Sequence, residues 1–107
     1  MLIRYVGLIN QMIRPWTWKN TWDSPVSRAA LREVAANVDQ ELQRYDYSER
    51  DLFHCRLRLE EALVDQFHTA SGADASGTIE IMCGGTIHGF QLYVAGRLRY
   101  DSEGSAT

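Results

Sequence analysis

Three polar side chains in the middle of this 107-residue chain have a spacing that could do chemistry. Glu61, Asp65 and His68 stand at i, i+4 and i+7, so a helix over this stretch carries all three on one face. Leu57 and Val64 lie one turn to either side of Glu61. A carboxylate bordered by apolar side chains loses hydration, which raises its pKa and suits it to act as a general base. Asp65, one turn on, offers oxygen to a hard cation such as Mg²⁺. His68 adds a further polar contact. The opposing account is electrostatic: two carboxylates at i, i+4 repel, and such pairs ordinarily sit on a solvated face beside an arginine, here Arg58.

The elements that must position these groups follow from periodicity. Leu52, Cys55, Leu59, Leu63 and Phe67 recur at helical spacing, predicting a helix from Ser48 to about Ala70 that buries the face opposite the acids. Ser48 with Asp51 forms a variant of the capping box, with an acid where Glu or Gln is usual. Upstream, Leu31, Val34, Val38, Leu42 and Tyr45 define a second amphipathic helix, with Asp23-Ser24-Pro25 as its expected start. Trp16, Trp18 and Trp22 alternate with Thr17, Lys19 and Thr21, which predicts a strand with one aromatic face. Downstream, residues 71–77 have loop composition. Thr78 to Cys83 and Ile87 to Val94 alternate as strands, Gly84-Gly85 is the expected hairpin turn, and Arg97 to Tyr100 forms a third short strand after Ala95-Gly96.

Helices and antiparallel strands are therefore segregated along the chain. The expected fold is α+β, a two-layer sandwich with a mixed or antiparallel sheet and two main helices on one face. One domain spans 16–101, after a leader over 1–15 with short-helix spacing and before a mobile tail over 102–107. A length of 107 residues and 12.2 kDa suits a single core. Apolar residues make up 45% and charged residues 23%, so the composition is that of a folded domain. A net charge of −3 argues against a general nucleic-acid surface. The leader is too short to span a membrane and lacks a small-residue cleavage site, and Cys55 and Cys83 allow one disulfide at most. A cytoplasmic protein with two reduced, buried thiols is expected.

From Trp16 to Asp74 the chain resembles the front of the anti-sigma-factor serine kinases of the GHKL superfamily, the histidine-kinase-like ATP-binding domains. The resemblance is carried by Trp18 to Ser24, by Tyr47-Ser48-Glu49 and by Leu59-Glu60-Glu61-Ala62-Leu63-Val64-Asp65, with Ser71-Gly72-Ala73-Asp74 following. It implies part of a Bergerat-type ATPase fold, with Glu61 as general base and Asp65 as ligand of a Mg²⁺ bound to ATP phosphates. The mechanism would be that of phosphoryl transfer, the metal neutralising charge while the base orients an acceptor hydroxyl.

The departures from the family pattern set the functional expectation. Asp65 replaces an Asn and adds negative charge facing phosphate. The family His falls on Thr69, one residue past His68 and about 100° round the helix. The carboxylate that accepts the adenine amino hydrogen falls on Ala95 or Gly96, and Arg97 and Arg99 crowd the glycine positions. No stretch after Asp101 has room for an ATP lid. These losses predict a degenerate, non-catalytic module with no bound cofactor, whose partner is a regulatory protein of sigma-factor signalling or a second copy in a homodimer. An active kinase using Mg·ATP at Glu61 and Asp65 is the first alternative. The second is an unrelated small-ligand or nucleic-acid binder using the three Trp rings as a stacking platform.

Overall fold

The computed structural model describes residues 16–71 and 77–103. The expectations for the leader, for the loop over 72–76 and for residues 104–107 lie outside the described residues. The order is β1 (Trp18–Pro25), α1 (Arg28–Gln43), α2 (Glu49–Ser71), β2 (Thr78–Gly85), β3 (Phe90–Val94) and β4 (Arg97–Asp101). The strands form one open antiparallel sheet in the order β1-β2-β3-β4. Both helices lie on one face, α1 against β1 and α2 against β3 and β4, giving the expected two-layer α+β sandwich.

Alternation decides what each strand buries. The ladder pairs Asn20 with Cys83 and Trp22 with Ile81, then Ile81 with Val94 and Cys83 with Leu92. The row Ile79, Ile81, Cys83 meets the row Phe90, Leu92, Val94 on the helix-facing side, and all six are buried. From above, α1 contributes Leu31, Val34, Val38 and Leu42, and α2 contributes Cys55, Leu59, Ala62 and Leu63. Full burial of an aliphatic or aromatic side chain of this size stabilises by about 1.5–3 kcal/mol. Leu52 and Phe67, also on the expected α2 stripe, are half-buried at its ends.

Three local expectations are corrected. The start of α1 is not Asp23-Ser24-Pro25: β1 continues through Pro25, paired with Thr78, and Ser27 caps the helix. Its hydroxyl accepts the Ala30 N–H at 3.2 Å. Pro25 is tolerated because β1 is an edge strand, where a missing N–H costs no ladder bond. Gly84-Gly85 is not a turn either. Both glycines end β2, and the connection is residues 86–89, closed by the Thr86 N–H donating to the Gly89 carbonyl at 2.8 Å. Finally, the tryptophans do not share a face. Trp18 and Trp22 look toward the helices, whereas the Trp16 ring lies over Gly84, whose missing side chain would point to the opposite face. A three-ring stacking platform is therefore not formed.

The β3–β4 turn uses two residues, Ala95 and Gly96, at φ of 52° and 78°. Positive φ at both positions is what matches a hairpin to strand twist, and Gly or Asn adopts it with least strain. Ala95→Asn is expected to stabilise the fold by about 1 kcal/mol, read as a rise in urea midpoint at constant m-value.

Cys55 and Cys83 are free and buried. Burial pushes the Cys55 thiol up to about 12, with Asp39 and Asp51 adding to the rise. Burial also raises Cys83, with smaller contributions from Cys55 and Glu41. A raised folded pKa means that each thiol contributes fully below the unfolded value near 9 and loses that contribution as pH rises above it, for Cys55 up to about 12. The loss is about 1.4 kcal/mol per pH unit for each thiol. Urea midpoints measured from neutral pH to about pH 10.5 are expected to fall, and to fall less in the Cys55→Ala/Cys83→Ala variant.

Candidate functional site

The stretch bearing Glu61, Asp65 and His68 is helical throughout. Its start is held by Ser48, whose hydroxyl oxygen accepts the Asp51 N–H at 3.1 Å and whose proton goes to the Asp51 carboxylate at 2.9 Å. The other Asp51 oxygen accepts the buried Tyr100 hydroxyl at 2.6 Å, tying the first turn of α2 to β4. On the opposite flank Arg56 reaches Asp39 of α1 at 2.8 Å. The helix is thus pinned to its neighbours on both sides, and its outer face is presented as a fixed ridge.

Glu61 and Asp65 line one cleft of about 680 Å³ between α2 and β4, together with His54, Leu57, Arg58, Glu60, Val64 and Arg99. The two carboxylates share one side of the helix, as their i, i+4 spacing predicts. Their environment differs from the expected one. Both side chains are 63% exposed, and Leu57 and Val64 are themselves largely in solvent, so Glu61 keeps its water. Each acid also faces a guanidinium. Arg58 donates to Glu61 at 3.1 Å, and Arg99 approaches Asp65 at 3.8 Å. The pairing of Glu61 with Arg58 follows the solvated-face account, and exposed pairs of this kind are worth about 0–1 kcal/mol.

His68 is separated from the two acids. It lies on the other flank of the ridge, in a groove of about 560 Å³ between α1 and α2 that includes Arg28, Arg32 and Phe67. The i+7 spacing put it on the same broad face, yet that face is a ridge crest and its two sides open into different depressions. Arg28 stands 5.9 Å from the centre of the Phe67 ring in that groove.

Arg99 is the residue of the cleft that periodicity alone did not place. Regular alternation would send Arg99 and Tyr100 to opposite faces of β4. The ladder instead steps from Tyr93↔Leu98 to Leu92↔Tyr100, leaving Arg99 as the extra residue of a bulge. Both neighbours thereby reach α2, Tyr100 through Asp51 and Arg99 through Asp65. The Arg99 Nε is buried with no hydrogen-bond partner. The polar–apolar–polar–aromatic run of Arg97 to Tyr100 hides this shift.

The residues present are a poor fit to a phosphate-bound Mg²⁺. Such an ion needs a cluster of oxygens around it. Asp65 has a guanidinium beside it, and among the described residues no three His, Cys, Asp or Glu side chains converge on one point. Where the resemblance would put an adenine acceptor the chain has the Ala95-Gly96 turn, and neither side chain can accept a hydrogen bond. No helix among the described residues is long and apolar enough to cross a membrane. No protein-family model, curated protein or solved structure matches the chain.

Proposed function

We propose that the chain is a non-catalytic protein-interaction module, built on a sandwich related to the histidine-kinase-like ATPases and serving regulation, with sigma-factor signalling as the context the resemblance suggests. The observation that carries the reading is the state of its two acids. The resemblance assigns Glu61 and Asp65 the roles of base and metal ligand, yet each is water-exposed and faces an arginine. A general base works best when its site excludes water and leaves its oxygens free to reach the proton they take. A metal ligand with a guanidinium alongside must first give up that partner. What the cleft offers instead is apolar side chains edged by both signs of charge, the make-up of a protein-binding surface.

The alternative, an active serine kinase, draws on the single cleft that Glu61 and Asp65 share. Thermal melting with Mg·ATP separates the two. A ligand at a hundred times its dissociation constant stabilises a fold by about 2.7 kcal/mol, so a working nucleotide site raises the melting temperature. The interaction-module reading expects no shift at millimolar Mg·ATP. A shift in the wild type that is lost in both Glu61→Ala and Asp65→Ala would establish the kinase reading instead.

A further inference from the structure

The two helices part at one end. Asp39 meets Arg56 at 2.8 Å, and Arg28 stands 5.9 Å from the centre of the Phe67 ring. The pair is therefore antiparallel, with Arg28 level with Phe67 and Ala35 level with Glu60. Around Asp39 the helices close on one another and leave a depression of only about 10 Å³. From Ala35 to Arg28 they leave the groove of about 560 Å³. Its floor is apolar: Leu31 and Leu63 are buried there, and Ala35 and Phe67 are half-buried. Its α1 wall is cationic. Arg28 and Arg32 stand at i, i+4 along it, and two like charges one turn apart repel. Neither has a carboxylate partner among the described residues. The first turn of α1 carries no acid, although the positive end of a helix favours one, and Arg28 adds to the positive field there. The acid of the groove, Glu60, stands at the opposite end, level with Ala35. Glu33 follows Arg32 in sequence but lies about 100° round the helix and does not line the groove.

We propose that this groove is a binding site for a small amphipathic carboxylate, with its head held by Arg28 and Arg32 and its hydrocarbon body laid on Leu31, Ala35, Leu63 and Phe67. The proposal goes beyond the interaction-module reading and does not depend on it. A bound anion relieves the repulsion between the two arginines and complements the start of α1. A guanidinium meets a carboxylate through two parallel N–H···O bonds, and the Phe67 ring beside Arg28 restricts the freedom that binding would otherwise cost. The apolar floor sets the second requirement. An inorganic anion would satisfy the arginines and leave that floor in water, whereas an alkyl chain covers it. Length sets the third. The groove runs about 10 Å, two turns of helix, before the helices close. Sites for small ligands have this size and this make-up, an apolar lining with a few convergent polar groups. A protein partner covers roughly 800 Å² on each side, far more than a notch two turns long.

The test is calorimetric titration of the full chain with octanoate. Octanol and octylammonium serve as probes with the same chain and a different charge, and circular dichroism of each variant is the fold control. Octanoate is expected to bind saturably with a dissociation constant of about a millimolar or below. Octanol is expected to bind at least about fivefold more weakly, and octylammonium to give only heats of dilution. The double variant Arg28→Gln/Arg32→Gln is expected to weaken octanoate about tenfold. Ala35→Leu, which fills the floor without touching charge, is expected to weaken octanoate and octanol alike. Octanoate heats that never saturate overturn the proposal, and so does octylammonium binding as tightly as octanoate. An octanoate affinity unchanged in either variant places the anion elsewhere and overturns it too. So does an acidic peptide that binds the wild type where octanoate does not, since the groove is then a protein site. Mg·ATP titration bears on the non-catalytic reading alone, so the two fail separately.

Discussion

Gly85→Ala is expected to destabilise the domain by about 3 kcal/mol, at the upper end of what one added methyl group costs in a packed core. Gly85 ends β2 on the helix-facing side, opposite Trp18 on one strand and Phe90 on the other. A Cβ there would stand 2.6 Å from the Tyr47 hydroxyl and from a Trp18 ring carbon, and closer still to the indole nitrogen. None of these atoms is the loose end of a flexible side chain. The Trp18 ring is stacked on Tyr45 with centroids 4.4 Å apart, and its N–H donates to the Tyr47 hydroxyl at 2.7 Å. Tyr47 packs in turn on Phe90 at 4.4 Å. The rings must shift together or the strand must give way. Combining Gly85→Ala with Trp18→Leu should cost less than the sum of the single changes, because the smaller side chain vacates the space. Urea unfolding of the four proteins at constant m-value checks this, and additivity would place the strain elsewhere.

Phe90→Ala is the second large effect, at about 3–5 kcal/mol. Phe90 is among the largest fully buried side chains and joins two groups of rings, with Tyr47 on one side and Tyr100 at 5.6 Å on the other. Its removal leaves a cavity between two aromatic rings, and rings held by hydrogen bonds collapse into such a space poorly. Tyr100 is fixed by Asp51 and Tyr47 by Trp18. For a domain of this size the melting temperature should fall by roughly 15–30 °C. Phe90→Leu, which refills most of the volume, should recover more than half of the loss. The comparison also reports on the site: Tyr100 anchors the first turn of α2, so loosening Phe90 should loosen the ridge that carries Glu61 and Asp65.

Patterns of side chains with a strict period were legible in the sequence. The α1 and α2 stripes and the alternation of β2 and β3 each repeat often enough to outweigh any single residue, and they yield the sandwich. Local signals fared worse where tertiary contacts compete with them. Gly84-Gly85 has the composition of a turn, yet the glycines are needed because Trp16 and Trp18 press on the strand from opposite faces. Asp23-Ser24-Pro25 has the composition of a helix cap, yet Ser24 and Pro25 have ladder partners in Ile79 and Thr78. Glu41 falls on the buried side of α1 and is nonetheless a polar residue. It is satisfied by Arg44, one turn on, at 3.1 Å and by Asn20 of β1 at 2.8 Å, a contact that no spacing along the chain announces.

The candidate site divides in the same way. That Glu61 and Asp65 share a cleft follows from i, i+4 geometry alone. That they are solvated and face arginines depends on what stands across from them, and the decisive neighbour, Arg99, arrives through a bulge in β4. His68 shows the limit of helical spacing from the other side. Seven residues return it to nearly the same direction, but the ridge is narrow and the surface falls away into two separate grooves.

Titration calorimetry of the full chain with Mg·ATP tests the central claim most directly. If the Glu61 and Asp65 cleft serves protein contact and not phosphoryl transfer, nucleotide injected to millimolar concentration gives only heats of dilution, for the wild type and for Glu61→Gln alike. Saturable heat at micromolar nucleotide, dependent on Mg²⁺ and abolished by Asp65→Ala, would contradict it.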